Sequence, residues 1–152
     1  MPRPAEPLYA ADVPPENDPS LDDLHRMADE ALASVPEAFR KHMTGVVIRM
    51  AEWPEDEVLD EMGFESPYDL LGLYQGISLT ERGANDVAPP VDMIFLYRRP
   101  LLAYWKDSRF DLRDIVRNTL VHEIGHHFGL SDDEMETLEQ AAAEEDAKRR
   151  IA

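Results

Sequence analysis

Apolar positions recur at three- and four-residue intervals in two long stretches of the chain. Leu21, Leu24, Ala28, Ala31, Leu32 and Val35 place one apolar stripe on a helix that Ser20 caps and Pro36 ends. Leu112, Ile115, Val116, Thr119 and Leu120 place a second stripe on a helix predicted over Phe110–Phe128, with a last helix over Ser131–Ala147. Between them the period changes. Val46–Met50, Leu70–Gln75 and Met93–Tyr97 read as strands, and the unbroken apolar run of the third predicts burial on both faces. Shorter helical pieces are expected at Glu37–Met43, at 54–62 with Pro54 in first position and Gly63 just past the end, and as a turn at Pro100–Lys106. Gly83, Asn85, Asp86 and a Pro-Pro pair mark Thr80–Pro90 as a loop. Helices flanking a few strands, with no regular βαβ alternation, predict an α+β fold: a small mixed sheet with helices packed on it.

The 152 residues suit one domain, expected over 20–147. Residues 1–19, rich in proline and acid, are expected to be a mobile tail, and 148–152 a short C-terminal one. The prolines between Met1 and Ser20 interrupt any secretory leader, and no apolar run approaches the roughly 20 residues of a membrane span. Cytoplasmic residence without membrane association is therefore the expectation.

A net charge of −17 sets the sequence against a phosphate backbone, so no nucleic-acid partner is expected. The one basic cluster is Arg98, Arg99, Lys106, Arg109, Arg113 and Arg117. It either pairs with the acidic excess or selects acidic substrates. Without cysteine, any metal must be held by nitrogen and oxygen.

The chemistry concentrates in His122-Glu123-Ile124-Gly125-His126-His127-Phe128-Gly129-Leu130-Ser131-Asp132. At about 100° per residue, His122 and His126 lie about 40° apart on the helix, so two imidazoles can meet one ion. Glu123, next to the same metal, can take a proton from a zinc-bound water. The wheel directs these side chains towards the sheet, whereas His127 points elsewhere and reads as a packed histidine. Gly129 can end the helix in the left-handed conformation and swing Asp132 back as third ligand. Ser131 and Glu134 also spell a capping box, in which Asp132 is only a first-turn acid. By composition, His-Glu-x-x-His arises somewhere in such a chain with a chance of about 2%, and the form extended to Gly129 and Asp132 with about one in 5,000, so only the longer motif is specific.

That longer motif resembles the metzincin-type zincin pattern with its final histidine replaced by aspartate. Leu71–Gly76, Ile94–Pro100 and Asp132–Met135 extend the resemblance to a short bacterial zincin-like family with a minimal metalloprotease fold, over roughly residues 20–140. It implies zinc as cofactor, His122, His126 and Asp132 as ligands, Glu123 as general base, and a peptide or protein substrate. Two features depart from the larger metzincins: Met135 is too close to Asp132 to be their Met-turn, and no Tyr or His follows Asp132 to stabilise an oxyanion. Such a donor would come from Tyr97, Tyr74 or a strand-edge N–H, and both tyrosines equally suit the core. The competing reading is a non-catalytic zinc-binding module that serves regulation or interaction.

Overall fold

The computed structural model describes residues 7–76 and 92–151; the loop expected over Thr80–Pro90 lies outside them. Strands β1 (Val47–Ala51), β2 (Gly72–Gln75) and β3 (Met93–Tyr97) form one mixed sheet in the order β1-β3-β2. β1 runs parallel to β3, with Val47 opposite Met93, and β2 runs antiparallel to it, with Gly72 opposite Leu96. The apolar run of β3 explains its central place. Ile94 and Leu96 enter the main core, while Phe95 and Tyr97 turn to the opposite face and pack in a second cluster with Leu59, Leu70 and Leu73.

Among the described residues six α-helices accompany the sheet: α1 (Leu21–Ala33), α2 (Glu37–Arg40), α3 (Asp56–Met62), α4 (Arg98–Asp107), α5 (Leu112–Phe128) and α6 (Asp132–Ile151). α1 starts at a reciprocal cap between Ser20 and Asp23 and buries Leu24, Ala28 and Ala31. α5 is the central helix of the main core, to which it contributes Leu112, Ile115, Val116, Leu120, Val121 and Ile124. Asp111 caps it by accepting from the Arg113 N–H at 2.9 Å. Its other end closes at Gly129, φ 66°, where the Leu130 and Gly129 amides return to the carbonyls of Gly125 and His126. α6 begins at once, capped by Ser131 and Glu134, and packs Leu138 and Ala142 into the core. An ion-pair network joins the two helices: Arg117 meets Asp114 at 2.8 Å and Asp146 at 2.9 Å, and Arg150 meets Asp146 at 2.8 Å.

Four expectations are corrected. Residues 7–19 are docked on the domain: Leu8 and Val13 pack on the core, the Leu8 carbonyl accepts from the Trp105 indole N–H and the Leu112 amide, and Lys106 pairs with Asp18. Prolines hold this stretch in 3-10 turns and extended backbone, so fixing it forfeits little entropy, and the buried Trp105 needs an acceptor. α3 starts at Asp56, with Pro54 buried ahead of it. Residues 98–107 form a full helix, because Pro100 sits in the first turn where its missing N–H costs nothing. α6 continues to Ile151 rather than stopping at Ala147, its last turns held by Arg149–Glu145 and Arg150–Asp146 pairs. Among the described residues, no helix is long and apolar enough to cross a membrane.

Candidate metal centre

α5 brings His122, Glu123 and His126 together, each offering a donor atom within 4.8 Å of the others. Nε2 of His122 lies 3.2 Å from Nε2 of His126. Two nitrogens bound at about 2.0–2.1 Å with a tetrahedral angle between them are separated by about 3.3 Å, so this spacing fits a single zinc ion. Burial in the cleft, with His122 alongside, holds His126 below the ordinary imidazole range. It is therefore neutral at pH 7, the form that ligates a metal.

Both imidazoles are exposed to the cleft rather than turned into the sheet as the helical wheel suggested, while Glu123 is 7% exposed. The difference comes from the edge strand. β2 lies so close to α5 that a methyl group on Gly72 would stand 2.8 Å from Cγ2 of Thr119 and 3.1 Å from the Phe95 carbonyl. Glu123, the side chain on that side, is covered, and its Oε1 accepts from the Tyr74 amide at 3.1 Å. Burial pushes the Glu123 carboxyl up from the usual range, opposed by His122 and by the Tyr74 N–H. Raised in this way, it is better placed to carry a proton near neutral pH than an exposed glutamate.

The Tyr74 contact follows from the register of the sheet. Tyr97 donates to the Leu71 carbonyl, so Leu71, Leu73 and Gln75 turn their backbone groups towards β3, and Gly72 and Tyr74 turn theirs to the free edge. A cleft of about 680 Å³ runs along this edge from Phe110 and Ile115 past Thr119 to His122, Glu123 and His126, with Met62, Phe64, Leu70 and Leu71 on the opposite wall. A smaller one continues beyond His126 to Tyr74, Gly129 and Leu130.

Asp132 is the first residue of α6, exposed, and outside the donor group formed by the other three. The cap is made by Ser131 and Glu134, leaving Asp132 with no hydrogen bond or ion pair among the described residues. The carboxylate that does reach the group is Glu139, whose Oε1 stands 3.4 Å from Nδ1 of His122. Sequence reasoning missed it; its place one helical stripe along from Met135 and Leu138 was the available signal. His127 is 1% exposed, packed edge-on against Tyr74 and Phe128 with Nδ1 3.3 Å from the Tyr74 hydroxyl, as a packed histidine should be. The Tyr74 hydroxyl donates to Asp92 at 2.9 Å, and Tyr97 is buried and stacked on Phe95, its phenol pushed up to about 12 by burial and by Glu55 and Glu123. Met135 lies directly beneath Gly125, between the two histidines of the motif.

The basic cluster, Arg109 apart, resolves into ion pairs: Arg98 and Arg99 with Glu52, Lys106 with Asp18, Arg113 with Asp111, and Arg117 with Asp114 and Asp146.

Two imidazoles and a buried carboxylate on one helix, under the edge of a small mixed sheet, are the donor set and setting of a zincin. The model of the zincin-like metallopeptidase family matches residues 43–142, which include both strands that flank β3 and the whole of α5, and the chain belongs to that family. Membership carries with it a peptidase-type hydrolase that uses zinc. Among curated proteins, none matches the chain.

Proposed function

We propose that the protein hydrolyses peptide bonds at this centre, with His122, His126 and Asp132 holding zinc and Glu123 as general base. The observation that carries the reading is Glu123: a carboxylate buried beside two imidazoles and fixed by a backbone N–H is costly to keep, and among the described residues no Lys or Arg pairs with it. Zinc, when bound, supplies Lewis acidity to the scissile carbonyl and lowers the pKa of water. Glu123 takes the proton of the attacking water and delivers it to the leaving amine. Among the described residues, the outer edge of β2 offers the Gly72 N–H and C=O to an extended substrate chain, which would lie along the cleft as a fourth strand. Among the described residues Asp132 has no hydrogen bond or ion pair, and it stands at the start of α6, shortly after the left-handed turn at Gly129, which supports its assignment as third ligand.

The test is a peptide library incubated with zinc-loaded wild type and with Glu123→Gln, new termini being read by mass spectrometry. Chelator-sensitive cleavage that falls about 10²–10⁴-fold in the Gln variant is expected. Cleavage by neither protein, with stoichiometric zinc in both, would favour the non-catalytic module, and equal cleavage by both would remove Glu123 as the base.

A further inference from the structure

Charge around the cleft is segregated. From Ala51 to Gly76 the chain contains eight acids and no Lys, Arg or His. Only Glu52 of these acids is in an ion pair, with Arg98 and Arg99; the other seven are exposed and unpaired among the described residues. Asp60, Glu61, Glu65 and Asp69 alternate with Met62, Phe64 and Leu70, which line the cleft, so this wall is apolar inside and anionic along its rim. Across the metal centre, the first turns of α6 present Asp132, Asp133 and Glu136, also exposed. Among the described residues, the cation that lines the cleft does not balance them: Arg117 is 8% exposed and bound to Asp114 and Asp146, while Arg109, beside the lining Phe110, is exposed and in no ion pair. Within the rim, the floor is apolar: Leu70, Leu71 and Ile115, with Phe110 58% exposed and Met62 50% exposed at its mouth.

We infer that the cleft takes cationic polypeptide: an extended segment whose bulky apolar side chain seats between Leu71 and Ile115 and whose flanking lysines or arginines follow the acidic rim. The inference rests on the peptidase reading of the same site and narrows it. An extended polypeptide is chosen over a small cation because Gly72 on the β2 edge offers its N–H and C=O and the volume, within the range of about 300–1,000 Å³ typical of ligand sites, is lined mainly by carbon. Rim charges act over a Debye length of about 8 Å at physiological salt, so only the cations within a few residues of the seated side chain contribute. An anionic segment would meet the same field with the opposite sign.

The experiment uses the full chain carrying Glu123→Gln, zinc-loaded, and three labelled peptides with one common Leu-Phe centre and flanks of Lys, Ser or Glu. Affinity read by fluorescence anisotropy at low salt should favour Lys over Ser by about tenfold or more, with Glu weakest, and the gap should close to within about twofold at molar salt. A variant with Asp60→Asn, Glu61→Gln, Glu65→Gln and Asp69→Asn together should lose most of the Lys advantage. Equal affinity for the three peptides, tighter binding of the Glu peptide, binding of none, or a Lys preference that survives the four substitutions or molar salt would overturn the inference. Wild type separates the two readings: cleavage of all three peptides at equal rates leaves the peptidase and removes its charge preference, whereas selective binding of the Lys peptide without cleavage keeps the preference and removes the peptidase.

Discussion

Gly72→Ala adds one methyl group where the edge strand β2 presses against α5. Its carbon would stand 2.8 Å from Cγ2 of Thr119, 3.1 Å from the Phe95 carbonyl and 3.2 Å from Cδ2 of Leu96. Thr119 cannot rotate away cheaply, because its hydroxyl donates to the Ile115 carbonyl at 2.8 Å, and the Phe95 oxygen belongs to the sheet itself. Ordinary carbon contacts need about 3.5 Å or more, so β2 must retreat by roughly 0.7 Å. A retreat of that size stretches the Tyr74–Glu123 hydrogen bond from 3.1 Å past the limit of about 3.5 Å at which it still counts as one. Overpacking of this kind costs about 1–3 kcal/mol, a fall of roughly 2–10 °C in melting temperature for a chain of this length. Thermal unfolding of the metal-free protein measures it. Thr119→Ser removes the nearest carbon and keeps the hydroxyl, so the Gly72→Ala/Thr119→Ser pair should recover at least about 0.5 kcal/mol relative to the sum of the singles. A neutral Gly72→Ala, or strictly additive singles, would refute the argument that β2 is pressed against α5.

The metal-free Glu123→Gln protein should be more stable than metal-free wild type at pH 7 by about 0.5–2 kcal/mol, since Gln keeps an oxygen for the Tyr74 N–H without a buried charge. A carboxyl held up in the folded state stabilises below its unfolded pKa and loses that contribution as pH rises through the folded value, so the advantage of Gln should shrink towards pH 4, and melting curves across pH would show whether it does. Asp111 has the opposite sign. Burial opposes its ionisation, but hydrogen bonds from the Arg113 side chain and amide outweigh this and hold its carboxyl below the usual range, so its contribution is present above pH 4 and lost as pH falls through the folded value. Asp111→Asn should therefore flatten the acid limb of a stability profile measured by denaturant titration. Asp132→Asn should lower zinc affinity by more than the about 10–100-fold that losing a partner of a ligand costs, and Glu139→Gln by an amount within that range, both read by competition with a chelating dye. Reversed order would make Glu139 the ligand.

Much of this architecture was legible because it depends on local periodicity. The stripe of α1, the continuous apolar run of β3 and the Gly129 stop of α5 each carry their reason within about ten residues of sequence. His122, Glu123 and His126 were legible for the same reason, one turn of helix bringing them together. What depended on distant partners was not. Glu123 is buried because Gly72, about a third of the chain away, lets an edge strand come close, and nothing in the helical wheel contains that strand. The docking of Leu8 beneath Trp105 was hidden by a proline-rich composition that argues for disorder, since composition cannot register that a buried indole lacks an acceptor. Glu139 reaches His122 only through the angle at which α6 returns over α5.

The pairing of β1 with β3 has a consequence for synthesis. Val47 meets Met93, α1 packs on α5, and β2 is held between β3 and Glu123, so the earlier elements find their main partners only in residues made later. A ribosome that has released the first ninety residues has exposed β1, α3 and β2 with none of these surfaces to cover them, and each long connection adds its closure entropy before any contact repays it. Folding during translation is thus deferred until α5 itself emerges. The helix that carries the His-Glu-His group also completes the core, and a chain truncated before it would be left as a sticky nascent polypeptide, a substrate for chaperones and degradation.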